Sequence, residues 1–437
     1  MNVLTKLTHV LWGLSAGKEL TRFIYLALGA FCLLGSFSPL KPLKEGLFIG
    51  MVGSKYLMPI KVLSALLMLI LVALYSKLLD RFSKQHMLYG FLVFYIALGA
   101  VFVYLLSDPV LGVANVECRP DRWVAWGFYL FVDSFITIML SLFWSFVNDV
   151  TSAASAQRGY GMVIFGAQLG GASLMALTTY LIADHALYAV RVPQLVMIAL
   201  ALFSGLAFFV WRVTEMLDGE GRGEVQSTPE SVGMLEGLRV VCTRPYVFGM
   251  FLLMFFQEMV MSLMFYQQAH MAEMAFIPSL LTKYYFDMNL LFQVLSCVFA
   301  LFGTSLIHRA IGTRASLMAF PIILFGSGCF YMVWPTLYTI SLFIVLLKGL
   351  HYAFNQPVRE TLYIPTSTDI KYKAKAWIDA VGLRGAKAFG FLIASCLGHT
   401  DAIVGGVVML LVSGWIAIAE KMGRVNERAI ARKEIVR

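Results

Sequence analysis

Charge is scarce in this chain of 437 residues: Asp, Glu, Lys and Arg make up 14% of it. A soluble domain carries about 25%. Hydrophobic residues are 59% and the mean hydropathy is +0.78, which excludes an ordinary soluble globule. Cysteine is also sparse, with six residues: Cys32, Cys118, Cys242, Cys297, Cys329 and Cys396. They show no CxxC spacing and most sit in apolar runs, so neither a disulfide framework nor a zinc site is expected. No HExxH, GxSxG or phosphate-loop pattern occurs, so the chain reads as no enzyme, with no cofactor and no metal. The "GEGRG" at Gly219 to Gly223 has no strand before it and is no nucleotide fingerprint. Met1 to Arg22 is mixed polar without an apolar core and cleavage site, so no removable signal peptide is expected.

What is abundant is uninterrupted apolar sequence. A spanning helix needs roughly 20 such residues. Charge-free runs place spans at 23–40, 62–76 (beginning near Tyr56), 87–107, 123–147, 159–183 and 192–211. The one linker-like composition follows. Six more spans lie at 246–269, 288–307, 315–334, 336–357, 376–397 and 402–419. The expectation is an all-α polytopic membrane protein of about 12 transmembrane helices in two six-helix halves. Residues 1–213 form the N-terminal half, 214–245 a cytoplasmic linker, and 246–437 the C-terminal half with a basic tail. Repeated halves are a common transporter plan.

Lys and Arg outnumber Asp and Glu by 34 to 25. The surplus is split among loops, which argues for topology and against nucleic acid. Most of it collects on one side, from Lys6, Lys18 and Lys77 to the tail from Lys421 to Arg437. Both ends are then cytoplasmic and the span number even. The loops "LLDRFSKQ" (78–85) and "LIHRAIGTR" (306–314) occupy the same place in each half. They resemble the loop between the second and third helices of major facilitator superfamily transporters.

Ionisable residues inside spans are costly and mark functional cavities. "PLKPLKEGLFIGMVGSKYLMPIK" carries Lys41, Lys44, Glu45, Lys55 and Lys61. Its Pro42, Gly46, Gly50, Gly53 and Pro59 predict broken helix lining a cationic vestibule. Arg384, Lys387 and Asp379 fall within an arc of about 140° on an ideal helix. Arg384 and Lys387 are candidate binders of phosphate or carboxylate. Lys44 and Lys61 are expected to face them across a cavity at the membrane midplane. Asp133 and Glu258 are lone intramembrane acids, suited to lysine pairing or proton coupling. Asp149 and Glu360 lie at cytoplasmic helix ends, where Arg158 or Arg359 could lock a closed state. His270 and His351 read as packing residues.

At these residues the chain resembles the bacterial and plastid ATP/ADP carrier family. "LKEGL" (43–47) is similar to the family's Lys-Asp-Thr segment, with Lys44 on its lysine and Glu45 on its acid. Lys61 matches a closing lysine. "FWSFVNDVTSAASAQRGYG" (143–161) follows the pattern through Trp144, Asn148, Thr151 and Arg158. The most specific patch holds Arg359, Glu360, Tyr363, Lys373, Lys375, Asp379, Arg384, Lys387 and Gly390. The resemblance implies a major-facilitator-like secondary transporter of a nucleotide, in the inner membrane of a bacterium. It implies substrate contacts from Lys44, Lys61, Asn148, Arg384 and Lys387. Gln356, Ala154 and Ser155 depart from the family pattern, as does "LMFYQQAHM", which lacks a Trp-Lys pair. Those departures leave room for another anionic metabolite carried with protons.

Overall fold

The computed structural model describes residues 17–79, 84–151, 153–218, 234–302, 304–351, 355, 358–359, 361–363, 366, 374–378, 382–398 and 400–432. Among them every expected span overlaps a helix. In order these are α1 (Lys18–Val52), α2 (Leu57–Leu79), α3 (Lys84–Ser107), α4 (Trp123–Asp149), α5 (Ala153–Leu181) and α6 (Tyr188–Asp218). After a short helix, Met234–Thr243, come α7 (Pro245–Ala275), α8 (Pro278–Phe302), α9 (Thr304–Val333), α10 (Leu337–Leu350), α11 (Leu383–Leu397) and α12 (Asp401–Arg432). Nine helical stretches among the described residues are long and apolar enough to cross a membrane. Their outward faces are apolar: Leu66, Leu69 and Ile70 of α2 are 53%, 50% and 66% exposed. Such a face suits hydrocarbon rather than water.

Two boundaries differ from the sequence expectation. The segment expected to break after span one is instead continuous helix, and α1 runs through Pro39, Pro42, Gly46 and Gly50. Its glycines serve close packing. A Cβ on Gly46 would lie 2.7 Å from Thr282 Cα, and one on Gly50 3.1 Å from Pro278 Cβ. The helix stops only at Gly53, whose φ of 107° is disfavoured for other residues. The second difference is α8, which begins ten residues earlier than expected. Lys283 and Asp287 interrupt the charge-free run there, yet they pair one turn apart at 3.2 Å. Helix α10 runs to Leu350, His351 keeps helical dihedrals, and residues 352–354 and 356–357 of the expected span lie outside the described residues. Its start is sharp: Thr336 accepts from the Thr339 backbone N–H at 3.3 Å and Thr339 caps in return.

The chain forms two compact units. One comprises 1–53, 62–227 and 276–290; the other comprises 54–61, 228–275 and 291–437. The first is built on α1, which packs against α4, α5 and α6. Here α5 presents glycines to the α1 backbone: a Cβ on Gly166 would lie 2.4 Å from Ala27 O, and one on Gly170 2.2 Å from Phe31 O. Small residues let helices approach this closely where the solvent gives no hydrophobic drive. Gly170→Leu should therefore lower the unfolding temperature in detergent sharply. Gly326→Ala is the control, since nothing lies within 4 Å of its Cβ. Equal melting of the two variants would refute the close approach.

The loop between α3 and α4 is ordered by Arg122. Its guanidinium donates to the carbonyls of Asn115, Glu117, Leu111 and Gly112 at 2.5–3.1 Å. Burial pulls its pKa below the ordinary arginine value.

Candidate functional site

Lys44 is 5% exposed in α1. Its ammonium donates to Asp133 of α4 and lies 3.9 Å from Glu45 Oε1. The other oxygen of Asp133 accepts from Ser64 Oγ of α2 at 2.7 Å. Tyr129 donates to Glu45 at 3.0 Å, and its ring centroid lies 4.2 Å from Lys44 Nζ. Tyr129 and Asp133 are four apart, so α4 presents the ring and the carboxylate on one face. One ammonium thus meets two carboxyl groups. Lys44 rests among acidic groups, with Tyr129 beside it. Chemically the cluster is an ion pair that can exchange partners. A phosphate could take the ammonium, or a proton could neutralise Asp133.

The second unit holds a comparable pair. Glu258 of α7 is 4% exposed, and its Oε2 lies 3.6 Å from Lys387 Nζ of α11. Gln257 Nε2 sits 3.4 Å from Glu258 Oε1 and 2.8 Å from His351 Nδ1, while Asn355 donates to Gln257 Oε1 at 2.7 Å. The Glu258 carboxylate favours the amide nitrogen on its own side. Gln257 then donates to His351 Nδ1, which puts the imidazole proton on Nε2. His351 is thus part of a buried polar chain leading to Glu258, not a plain packing residue. Arg384 stands in the first turn of α11, half-buried.

Lys61 belongs to neither pair; its ammonium lies 5.5 Å from the Phe265 centroid and 5.6 Å from that of Phe391. Asn148 is exposed at the end of α4 and accepts from Tyr160 at 2.5 Å, beside exposed Asp149. Arg359 is half-buried. Glu360 and Asp379, and the side chain of Arg158, lie outside the described residues. Sequence reasoning passed over Ser64, Tyr129, Gln257 and Asn355. Tyr129 had a signal, a hydroxyl one turn from an intramembrane acid. Gln257 had another, an amide beside Glu258. Ser64 had none, because hydroxyls are common in apolar helices.

Apolar helices long enough to span a membrane, with lysine–carboxylate pairs between them, fit a membrane transporter. The chain belongs to the TLC ATP/ADP transporter family, whose profile matches residues 1–338 and 336–425. It is 23% identical over 447 residues to ADP,ATP carrier protein 1 of Rickettsia prowazekii (strain Madrid E), covering 90% of this chain and 89% of the relative. It is also 23% identical over 488 residues to the chloroplastic ADP,ATP carrier protein 2 of Arabidopsis thaliana, covering 96% and 78%. The fold is similar to that of a bacterial homologue of the iron transporter ferroportin in its inward-facing state. The TM-score there is 0.68 at 12% identity, over 92% of this chain and 99% of that one. The nucleoside transporter NupG gives 0.60 at 12% identity, over 93% and 98%. The architecture is therefore of the major-facilitator type.

Proposed function

We propose that this protein is a secondary active nucleotide carrier, exchanging ATP for ADP or taking up a nucleotide, by alternating access of two helical halves. The halves are 1–213 and 246–437, joined by the linker 214–245. The observation that carries the reading is the buried Lys44–Asp133 pair in a chain of this family. A charge kept at that depth has a use beyond stability, and a polyanion is the partner that would draw the lysine from its acid. Lys44, Lys61, Asn148, Arg384 and Lys387 contact substrate in this scheme. Glu45, Asp133, Asp149, Arg158, Glu258, Arg359, Glu360 and Asp379 govern gating and coupling. Reconstituted protein should take up labelled ATP only against internal ADP or ATP, and more weakly against other nucleotides. Movement of a neutral solute, with nucleotides neither moving nor competing, would refute it.

A second reading, proton-coupled uptake of another anion, is favoured by the Glu258–Gln257–His351 chain. Its mark would be flux that follows an imposed pH gradient. Exchange alone would ignore one.

The proposed setting is a bacterial inner membrane with both ends cytoplasmic, as the Lys and Arg distribution favours. Single cysteines placed in 107–122 and in 214–245 should react with impermeant reagent from opposite sides. Reaction from one side would overturn the orientation.

A further inference from the structure

In the second unit a short helix, Met234–Thr243, runs almost directly into α7 and packs against it and against the turn Lys375–Trp377. Leu235, Leu238 and Val241 recur at helical spacing in it, among Glu236, Arg239 and Thr243. Val241 is 2% exposed, while the apolar Leu238 is 37% exposed. An amphipathic helix of this kind, at the head of a span, belongs where membrane meets water. Arg239 is exposed on it, with Glu236 one turn before to share its charge. Arg244 is partly exposed in the joint, and the Phe248 N–H donates to its carbonyl at 2.9 Å. Arg244 therefore stands one turn above Phe248. A row of rings continues from there. The Phe248 centroid lies 6.1 Å from that of Phe251, which lies 5.5 Å from Phe255 and 5.8 Å from Trp377. Phe255 lies 6.0 Å from Phe389 of α11. Phe248 and Phe389 are exposed and the rings between them half-buried, so the row faces outward. Tryptophan at the head of such a row is an interfacial residue.

We propose that Arg244, assisted by Arg239, binds the headgroup of an anionic phospholipid whose acyl chain lies along the row from Phe248 to Phe389. The rings accept any acyl chain and make no choice of headgroup. The choice comes from the guanidiniums, whose fork matches a phosphate in bidentate fashion. A zwitterionic lipid brings its own ammonium against them and loses part of that attraction. Basic residues at a membrane surface favour anionic lipid for the same reason. The site concerns the lipid rather than the cargo, and it holds whichever solute the carrier moves.

The test is native mass spectrometry of the purified full chain in neutral detergent, titrated with phosphatidylglycerol or with phosphatidylcholine of the same acyl chains. Wild type should hold phosphatidylglycerol about tenfold more tightly. Arg244→Gln should cut that preference about fivefold, the loss of one basic residue at an anionic surface. Arg239→Gln should cut it less, and the double variant should erase it. Arg244→Lys should stay within about twofold of wild type, since the charge is kept and only the fork is lost. Phe248→Ala should weaken both lipids alike and leave the preference in place. Excess inorganic phosphate should not displace the lipid. Equal binding of the two lipids by wild type would overturn the proposal, as would a preference that survives in the double variant. Displacement by inorganic phosphate would overturn it too, by making the site one for a free anion. If Arg244→Gln does not fold, Arg239→Gln must still lower the preference and Arg244→Lys retain it.

Discussion

Lys44→Ala is expected to stop nucleotide flux and to destabilise the N-terminal unit, while Lys44→Ala with Asp133→Asn recovers the stability but not the flux. The two losses have different causes. Removing the ammonium leaves the Asp133 carboxylate against Glu45 in a water-poor site. Breaking a buried pair costs roughly 3–5 kcal/mol. The Asp133 side chain is 22% exposed, so the lower end, about 3 kcal/mol, is expected here. In the double variant the new amide would still accept from Ser64 and would carry no charge. Flux should stay absent, because the cation proposed to meet substrate is gone. The measurements are urea or thermal unfolding in detergent beside flux in proteoliposomes. Two results would count against this: a double variant no more stable than the single one, or normal flux in correctly inserted Lys44→Ala.

The second large effect concerns Lys387 and Glu258, whose burial is unequal. The Lys387 side chain is 44% exposed and that of Glu258 5%. Lys387→Gln should therefore destabilise more than Glu258→Gln. The first strands a buried carboxylate, a cost of about 2 kcal/mol or more. The second frees a lysine that water can solvate. Transport should reverse part of that order. Lys387→Gln and Arg384→Ala should each cut flux at least about tenfold, the loss of one charged contact. Arg384→Lys should keep part of it, losing only the bidentate fork. Glu258→Gln should keep the fold and alter whatever pH response the carrier has. If Glu258→Gln proves the less stable variant, the assignment of the buried partner is wrong.

The helices were legible because lipid-facing segments must be apolar along their whole length, so charge-free runs locate them. What stayed hidden depended on contacts far apart in the chain. Lys44 and Asp133 are 89 residues apart, and nothing in either segment names its partner. The early start of α8 was masked by Lys283 and Asp287, which look like a loop until they are seen one turn apart. Pro39 and Pro42 were misleading for a related reason. A proline removes one backbone hydrogen bond, and packing of the surrounding helix outweighs that loss in α1. The cations of α11 were recognisable as a group from their spacing. Their division of labour was not, because burial separates Lys387 from Glu258 and spacing cannot show burial.

The length of α1 has a mechanical consequence. At 1.5 Å per residue its 35 residues extend about 52 Å, well beyond a hydrocarbon core of about 30 Å. Such a rod must lean, protrude, or thicken the bilayer around it. The α5 glycines grip its middle, and Thr282 and Pro278 brace its far end, so its lean is set by protein rather than by lipid. The membrane is then the component that yields, at fractions of a kcal/mol per Å of mismatch. Acyl-chain length thereby becomes a load on the rod that carries Lys44.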